Sequence, residues 1–254
     1  MKIKKSFIWR AALAAFLCLG LIATAEETRP EKETTEPKLL KKGTFNYPKS
    51  LASKNIYNGY AEVIFMLSPK GKPYDVVVLE TNHPLIGEAI RKTLPKCEYS
   101  PKMVYGEPQS ARLGPVQMSV SYEKDSSVMD QLDFTTNRMD ITKTEYHYKI
   151  PAINKLDAMP KPVEQFSPGY PESLIEEGIE GNVVVDFFID PEGKVRCPGI
   201  HKSLHPEIDA AAYNAVQQWK YEPPMKDGKP SWTRARLPMR FTPPPQEEPA
   251  EETE

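Results

Sequence analysis

The chain has 254 residues and a formal net charge of −2, with 33 basic and 35 acidic side chains. This balance argues against a general nucleic-acid binder, which would usually show a strong basic excess. The length suits one or two domains. Proline is frequent, with 26 residues against 13 glycines, and much of it lies in tails, linkers and element ends.

The first 25 residues have the features of an export signal. Basic residues between positions 2 and 10 precede an uncharged apolar run, Ala11–Ala25, which ends in the small-x-small form of a cleavage site. The run has 25 − 11 + 1 = 15 residues, fewer than the roughly 20 that span a bilayer. We therefore expect a signal peptide over residues 1–25 and a periplasmic mature protein. An uncleaved inner-membrane anchor, lengthened by Phe7–Trp9, is the alternative.

The next segment, residues 26–44, is rich in Glu, Lys, Thr and Pro, which predicts a disordered tether. An internal repeat follows. Gly59–Arg112 aligns without a gap on Gly181–Arg234, at an offset of 181 − 59 = 122. Sixteen positions are identical, where roughly three are expected by chance from average residue frequencies. The repeat predicts two tandem modules, over residues 45–122 and 166–242.

The segments outside the modules are polar. Residues 123–165 are predicted to be a linker, in which the alternation over 145–150 indicates a short strand. The last segment, residues 243–254, has five glutamates and no basic residue, and we expect it to be a disordered acidic tail.

The second module shows its predicted elements in a clear order. A short helix opens at Tyr170-Pro171 and stops at Gly178. Strict alternation then predicts a strand, and a Pro-Glu-Gly turn after it predicts a hairpin. The next helix is predicted to begin at His205-Pro206. The last strand is Thr233–Thr242. The fold class is therefore α+β, with each module arranged as helix, β-hairpin, helix and strand, and the helices on one face of a small antiparallel sheet.

The last strand of each module is predicted to be an exposed edge. Pro238 removes a ladder donor, and proline in a sheet belongs on an edge strand or at a bulge. Pro115 lies at the start of the matching strand in the first module. Exposed edges are either protected or used to pair with another chain.

No catalytic, metal or cofactor site is expected. His83 and His205 both precede proline and are predicted to begin helices, and no Cys/His group has ligand spacing. We find no phosphate loop and no nucleophile motif, so an enzyme is not expected. Cys97 and Cys197 fall at different places in the repeat, which leaves open a disulfide between modules or two separate thiols.

Together these motifs closely resemble the TonB C-terminal domain family. The matching segments follow the family's order through the whole second module: Ser167–Pro171, Gly178–Val183, Asp190–Val195, His205–Ala211, Ala215–Pro223 and Asp227–Pro230. The first module resembles a diverged second copy, with Cys97 in the place of Trp219.

The resemblance implies a non-catalytic periplasmic domain that captures an extended peptide of an outer-membrane receptor, or of another envelope protein, by adding it to its sheet edge in TonB-dependent transmembrane transport. The predicted partner-binding residues are Ser167, Pro168, Tyr170 and Pro171, with Arg234, Arg236, Leu237, Pro238, Met239, Arg240 and Phe241 on the last strand. The arginines are expected to attract acidic segments, or simply to keep the edge soluble.

Two alternatives remain from the sequence. One is an assembly protein whose edge strands form homodimers. The other is a membrane-anchored energy transducer, which requires an uncleaved N-terminus. The short apolar run and the short tether depart from the transducer pattern, and Ser167 stands where the family often has Gln.

Overall fold

A computed structural model describes residues 34–122, 132–134 and 147–245 of the chain. The predicted signal peptide, residues 26–33 of the predicted tether, most of the linker's polar stretch and the tail from Gln246 lie outside the described residues. Within the described ranges, no helix has the length and apolar character needed to cross a membrane.

The N-terminal half, residues 34–122 with 132–134 and 147–150, combines two helices with antiparallel strands. Its main sheet has the order β8-β7-β2-β3-β9. A 3-10 turn, Leu94–Lys96, follows α2. The elements are β1 (Leu39–Lys41), α1 (Lys49–Ala52), β2 (Asn58–Leu67), β3 (Pro73–Thr81), α2 (Pro84–Thr93), β4 (Glu98–Tyr99), β5 (Lys102–Val104), β6 (Glu107–Gln109), β7 (Ala111–Ser121), β8 (Leu132–Phe134) and β9 (Tyr148–Lys149).

The elements of the C-terminal half, residues 151–245, are β10 (Pro162–Glu164), β11 (Gly181–Ile189), β12 (Val195–Lys202), α3 (Pro206–Val216), β13 (Lys220–Tyr221), β14 (Met225–Lys226), β15 (Lys229–Pro230) and β16 (Thr233–Phe241), with 3-10 turns at Ile153–Lys155 and Glu172–Leu174. Its main sheet has three antiparallel strands in the order β12-β11-β16. The helix α3 covers one face and buries Ile208, Ala212, Ala215 and Val216 against that sheet.

Both main helices begin at a His-Pro pair, as predicted. The Nδ1 atom of His83 accepts a hydrogen bond from the Leu85 amide, and that of His205 accepts one from the Glu207 amide. Each imidazole therefore satisfies an amide that the first helical turn leaves without a partner. The prediction that these histidines begin helices is confirmed.

The opening helix predicted for the second module is wrong in type. Glu172–Leu174 forms a 3-10 turn, and Gly178 ends the segment with a φ of +62°. Its first hydrogen bonds join residues three apart, from the Leu174 amide to the Pro171 carbonyl and from Ile175 to Glu172. Fewer than two α-helical turns fit between Pro171 and Gly178, and short segments of this kind adopt the tighter helix.

Two further differences concern strand pairing. Leu39–Lys41 lies in the predicted tether, yet it pairs with Glu98–Tyr99 as a short strand. The last strand of the N-terminal half is not open along its whole length, because β8 pairs antiparallel with residues 118–120 of β7. The linker also supplies β9, which lies within the alternating range 145–150 and pairs with the end of β3. Segments from outside the predicted module thus cover one end of each edge strand of the first sheet, and the pattern of a single strand does not show such pairing.

The two halves contact each other through the sheet faces that lie opposite their helices. Five side chains form a buried apolar cluster between them: Ile64, Met66 and Val77 from the N-terminal half, and Phe188 and Cys197 from the C-terminal half. The Cys197 amide donates to Asp75 Oδ2 at 2.6 Å. Both residues have positive φ, and in the sequence repeat they occupy the same position. Cys97, by contrast, lies in the core of the N-terminal half, and both thiols are free.

Gly193 lies at the tight turn between β11 and β12. Its φ is +83°, and a Cβ added there would lie 1.9 Å from the Tyr221 carbonyl oxygen. The repeat-equivalent Gly71 has a φ of +74° and the same 1.9 Å conflict with the Tyr99 carbonyl. In each half the glycine carbonyl also accepts the tyrosine amide, so the close approach carries a hydrogen bond.

We expect Gly193→Ala to lower the free energy of unfolding by about 1–3 kcal/mol, because the left-handed conformation costs an alanine about 1 kcal/mol and the Tyr221 carbonyl must shift. Urea denaturation measures the change. Gly228→Ala is the matched control, since Gly228 also has positive φ but meets nothing within 4 Å. Equal losses in the two variants would contradict the contact argument.

Candidate functional site

The open edge of the C-terminal sheet is the strongest candidate site. Thr233–Phe241 pairs with β11 over nine consecutive residues without a register shift. On its outer side, the described residues provide only one bridge, a parallel contact between Ala152 and Arg234. The strand from Ala235 to Phe241 therefore presents backbone groups to which a further strand can bond.

The opposite edge of the same sheet, formed by β12, is less suited to pairing. Cys197 sits in a bulge with a φ of +45°, and its amide is already bonded to Asp75. Pro198 follows and has no amide hydrogen. A bulge and a proline are common devices that prevent edge pairing, so β16 is the more regular of the two edges.

The side chains of β16 alternate between two faces. Thr233, Ala235, Met239 and Phe241 are buried, and the half-buried Leu237 packs with them against the core. The exposed residues of the other face are Arg234, Arg236, Pro238 and Arg240. Leu237, Met239 and Phe241 therefore share the face of β16 that packs against the core.

Pro238 indicates how the backbone of β16 is directed. It lies opposite Val184 within the unbroken ladder to β11. A proline nitrogen that faced β11 would remove a ladder donor, so proline in an edge strand turns its nitrogen outward. Residues two apart share the same direction. The amides of Arg236 and Arg240 therefore face the open side, where carbonyl oxygens of a partner strand could accept hydrogen bonds from them.

The predicted residues 167–171 lie in a separate segment of the C-terminal half. Tyr170 uses its hydroxyl to donate to the Ile179 carbonyl at 2.8 Å, and Pro171 precedes the 3-10 turn. Ser167 is exposed and Pro168 half-buried. In the described part of the chain, no hydrogen bond or ion pair joins this segment to β16. The structure therefore does not bring the two predicted sets together through polar contacts.

Trp219 secures the start of this segment. Its indole Nε1 donates to the Phe166 carbonyl at 2.8 Å, and the side chain is only 2% exposed. Beside it, Pro162–Glu164 pairs with Lys220–Tyr221. Phe166 itself is exposed, as are Met159 and Val163 nearby in the chain. The sequence did not predict this hydrogen bond between Trp219 and the Phe166 backbone.

One residue that sequence reasoning missed is Asp186, which lies on the outer face of β11. Arg112 donates to its carboxylate at 2.7 Å and 3.3 Å, and Arg234 donates at 2.7 Å. Burial alone would raise the pKa of Asp186, but the hydrogen bonds from the two arginines outweigh it and lower that pKa. Asp186 is therefore ionised at neutral pH and joins the two halves.

No arrangement in the described ranges suggests catalysis or metal binding. No group of three or more His, Cys, Asp or Glu side chains there could hold a metal ion. The buried thiols are poor nucleophiles, since burial raises the pKa of both Cys97 and Cys197. The chemistry that this site offers is backbone hydrogen bonding at an exposed edge beside a row of arginines.

Comparison with known proteins relates the C-terminal half to a described family. Residues 167–243 match the family described as Gram-negative bacterial TonB protein C-terminal. The TonB protein of Vibrio cholerae serotype O1 is 33% identical over 78 residues, which cover 30% of this chain and 32% of that protein. The TonB protein of Xanthomonas campestris pv. campestris is 29% identical over 75 residues, covering 29% of this chain and 34% of that protein.

The match therefore spans about a third of the length of each of these relatives. The solution structure of the Pseudomonas aeruginosa TonB C-terminal domain overlaps with 34% of this chain and 89% of its own, at 25% identity and a TM-score of 0.27. The assignment rests on the sequence matches, and the family match begins at Ser167 and ends just after β16. Residues 167–243 of this chain form a domain of the TonB C-terminal family.

Proposed function

We propose that this chain is a periplasmic, non-enzymatic protein that binds an extended segment of a partner by strand addition to the outer edge of β16. The partner class is an outer-membrane receptor or another envelope protein, within TonB-dependent transport. The observation that carries the proposal is a regular edge, open from Ala235 to Phe241, in the domain that matches the family. Backbone hydrogen bonds would supply affinity and the flanking side chains selectivity.

An added strand on the corresponding strand of the N-terminal half supports this binding mode. There, β8 pairs antiparallel with residues 118–120 of β7, which correspond, through their partners on β2 and β11, to residues 239–241. The same element order, the two His-Pro helix starts and the two glycine turns further support a tandem of two related modules, over residues 45–122 and 166–242. We propose that the second module binds the partner, since the chain itself already occupies part of the edge of the first, at residues 118–120.

The direct test removes outward amides from β16 while leaving the ladder to β11 intact. Arg240→Pro deletes an amide that faces the open side, and Arg240→Ala is its matched control. We expect the proline variant to bind a partner peptide about tenfold more weakly, because it loses a backbone donor and its ring crowds the incoming strand. The alanine variant should stay within about threefold, since an exposed arginine side chain contributes little.

The probes are synthetic peptides that tile the periplasmic segments of the host's outer-membrane receptors, titrated into the full chain by fluorescence anisotropy. Thermal unfolding of each variant checks that the fold is retained. If no peptide binds, or if the proline and alanine variants bind alike, strand addition at β16 is excluded. Sedimentation of the unliganded chain tests the alternative, because a homodimer through this edge would also dissociate in Arg240→Pro.

A further inference from the structure

The outer face of the second sheet carries more positive charge than its own carboxylates balance. Arg112, Arg234 and Arg236 lie around a single buried carboxylate, that of Asp186. Three guanidinium groups and one carboxylate leave a local charge of 3 − 1 = +2. Arg112 is further fixed by stacking over the Phe188 ring, with its Cζ atom 5.7 Å from the ring centre.

Arg236 is the one of these three arginines that is not bonded to the Asp186 carboxylate. It lies directly opposite Asp186 in the β11–β16 ladder, where a cross-strand ion pair would be expected. The Asp186 carboxylate is bonded instead to Arg112 and Arg234. Within the described residues the Arg236 side chain makes no ion pair and no hydrogen bond, and it is exposed.

The other carboxylates near this sheet are also engaged. Glu180 holds Arg240, while Asp75 and Asp190 lie 2.9 Å and 3.6 Å from Arg196 Nε. No second carboxylate of the described chain therefore neutralises Arg236. A carboxylate of a partner could therefore bind the Arg236 guanidinium without displacing an existing ion pair.

We infer that the β16 edge selects a strand that places an acidic side chain beside Arg236; this rests on the proposed strand addition. A residue of the added strand that lies opposite Arg236 would have its Cβ about 4.5–5.5 Å away, on the same face as the arginine row. Its neighbours in the strand would point to the other face, beside the buried Ala235 and the half-buried Leu237. The partner segment is thus an acidic residue flanked by apolar ones.

The test uses three nine-residue peptides of alternating Thr and Val with Glu, Gln or Lys at the centre. Their dissociation constants for the full chain are measured at low and at high salt. We expect the Glu peptide to bind about two- to fivefold more tightly than the Gln peptide, and the Lys peptide more weakly by a similar factor. High salt should shrink both ratios, because the pair is exposed.

Charge reversal at Arg236 gives the decisive readout. The Arg236→Glu variant should invert the order of the three peptides, and Arg236→Gln should abolish the preference. Lys229→Glu, at an exposed position in β15, is the matched control and should preserve the original order. Equal binding of all three peptides, or an order that Arg236→Glu does not change, overturns charge selection while strand addition stands. Failure of every peptide to bind overturns both.

Discussion

Replacing Asp186 by alanine is expected to lower the free energy of unfolding by about 3 kcal/mol, because the change leaves the partly buried guanidinium of Arg112 without its counter-charge. Arg112 is 18% exposed in its side chain and Asp186 only 7%, so water cannot replace the lost carboxylate effectively. Arg234 is half exposed and adds less, which places the effect at the lower end for a broken buried pair. Urea denaturation near neutral pH measures the loss.

The same contact predicts how stability depends on pH. The two arginines lower the pKa of Asp186 in the folded chain below that of an unfolded aspartate, which is about 3.9. A lowered folded pKa means that the contribution is fully present above that unfolded pKa and is lost as the pH falls through the folded one. The difference between wild type and Asp186→Ala should therefore be largest near neutral pH and should shrink in strong acid.

A matched control is available in the exposed pair of Glu180 with Arg240, whose side chains are 49% and 72% exposed. Glu180→Ala should change the free energy of unfolding by less than about 1 kcal/mol. A loss in Asp186→Ala no greater than in this control, or a difference from wild type that stays constant across acid pH, would show that Asp186 does not stabilise the contact between the halves.

Phe188→Ala is expected to cost about 3–5 kcal/mol, the usual range for removing a buried aromatic side chain. Phe188 is 1% exposed and packs between the halves with Met66, Ile64 and Cys197. The loss combines the transfer of the ring from an apolar site with the cavity that remains. Denaturant unfolding followed by tryptophan fluorescence and by circular dichroism measures it.

Phe188→Leu keeps most of the apolar volume and should lose less than half as much. If the face-to-face contact ties the halves into one cooperative unit, the two probes should give coincident transitions in the wild type and separate ones in Phe188→Ala. A loss below about 1 kcal/mol in Phe188→Ala would mean that the packing of Phe188 between the halves contributes little to the free energy of unfolding.

The sequence predicts which residues of β16 share a face, but it does not predict which residues they contact. Alternation placed the arginines on one side and Leu237, Met239 and Phe241 on the other, because a strand repeats every two residues. No local pattern distinguishes Arg236 from Arg234. Their difference arises from Arg112, which lies 186 − 112 = 74 residues from Asp186 in the chain.

By itself, the sequence determined the elements whose causes are local. The His-Pro helix starts, the glycine turns and the alternation of β11 depend on neighbours within a few residues, and the structure contains each of them. The same locality explains the error at Glu172–Leu174, where the length available to the helix mattered more than its proline start.

Only the tertiary structure decided which surfaces remain open. In sequence, Asp186 and Phe188 read as one face of a strand, yet they are buried against the other half. In sequence, the edge of β7 resembled that of β16, but β8 pairs with residues 118–120 of β7. Whether a face or an edge meets water depends on segments distant in the chain, since burial is a property of the assembled sheets rather than of any one strand.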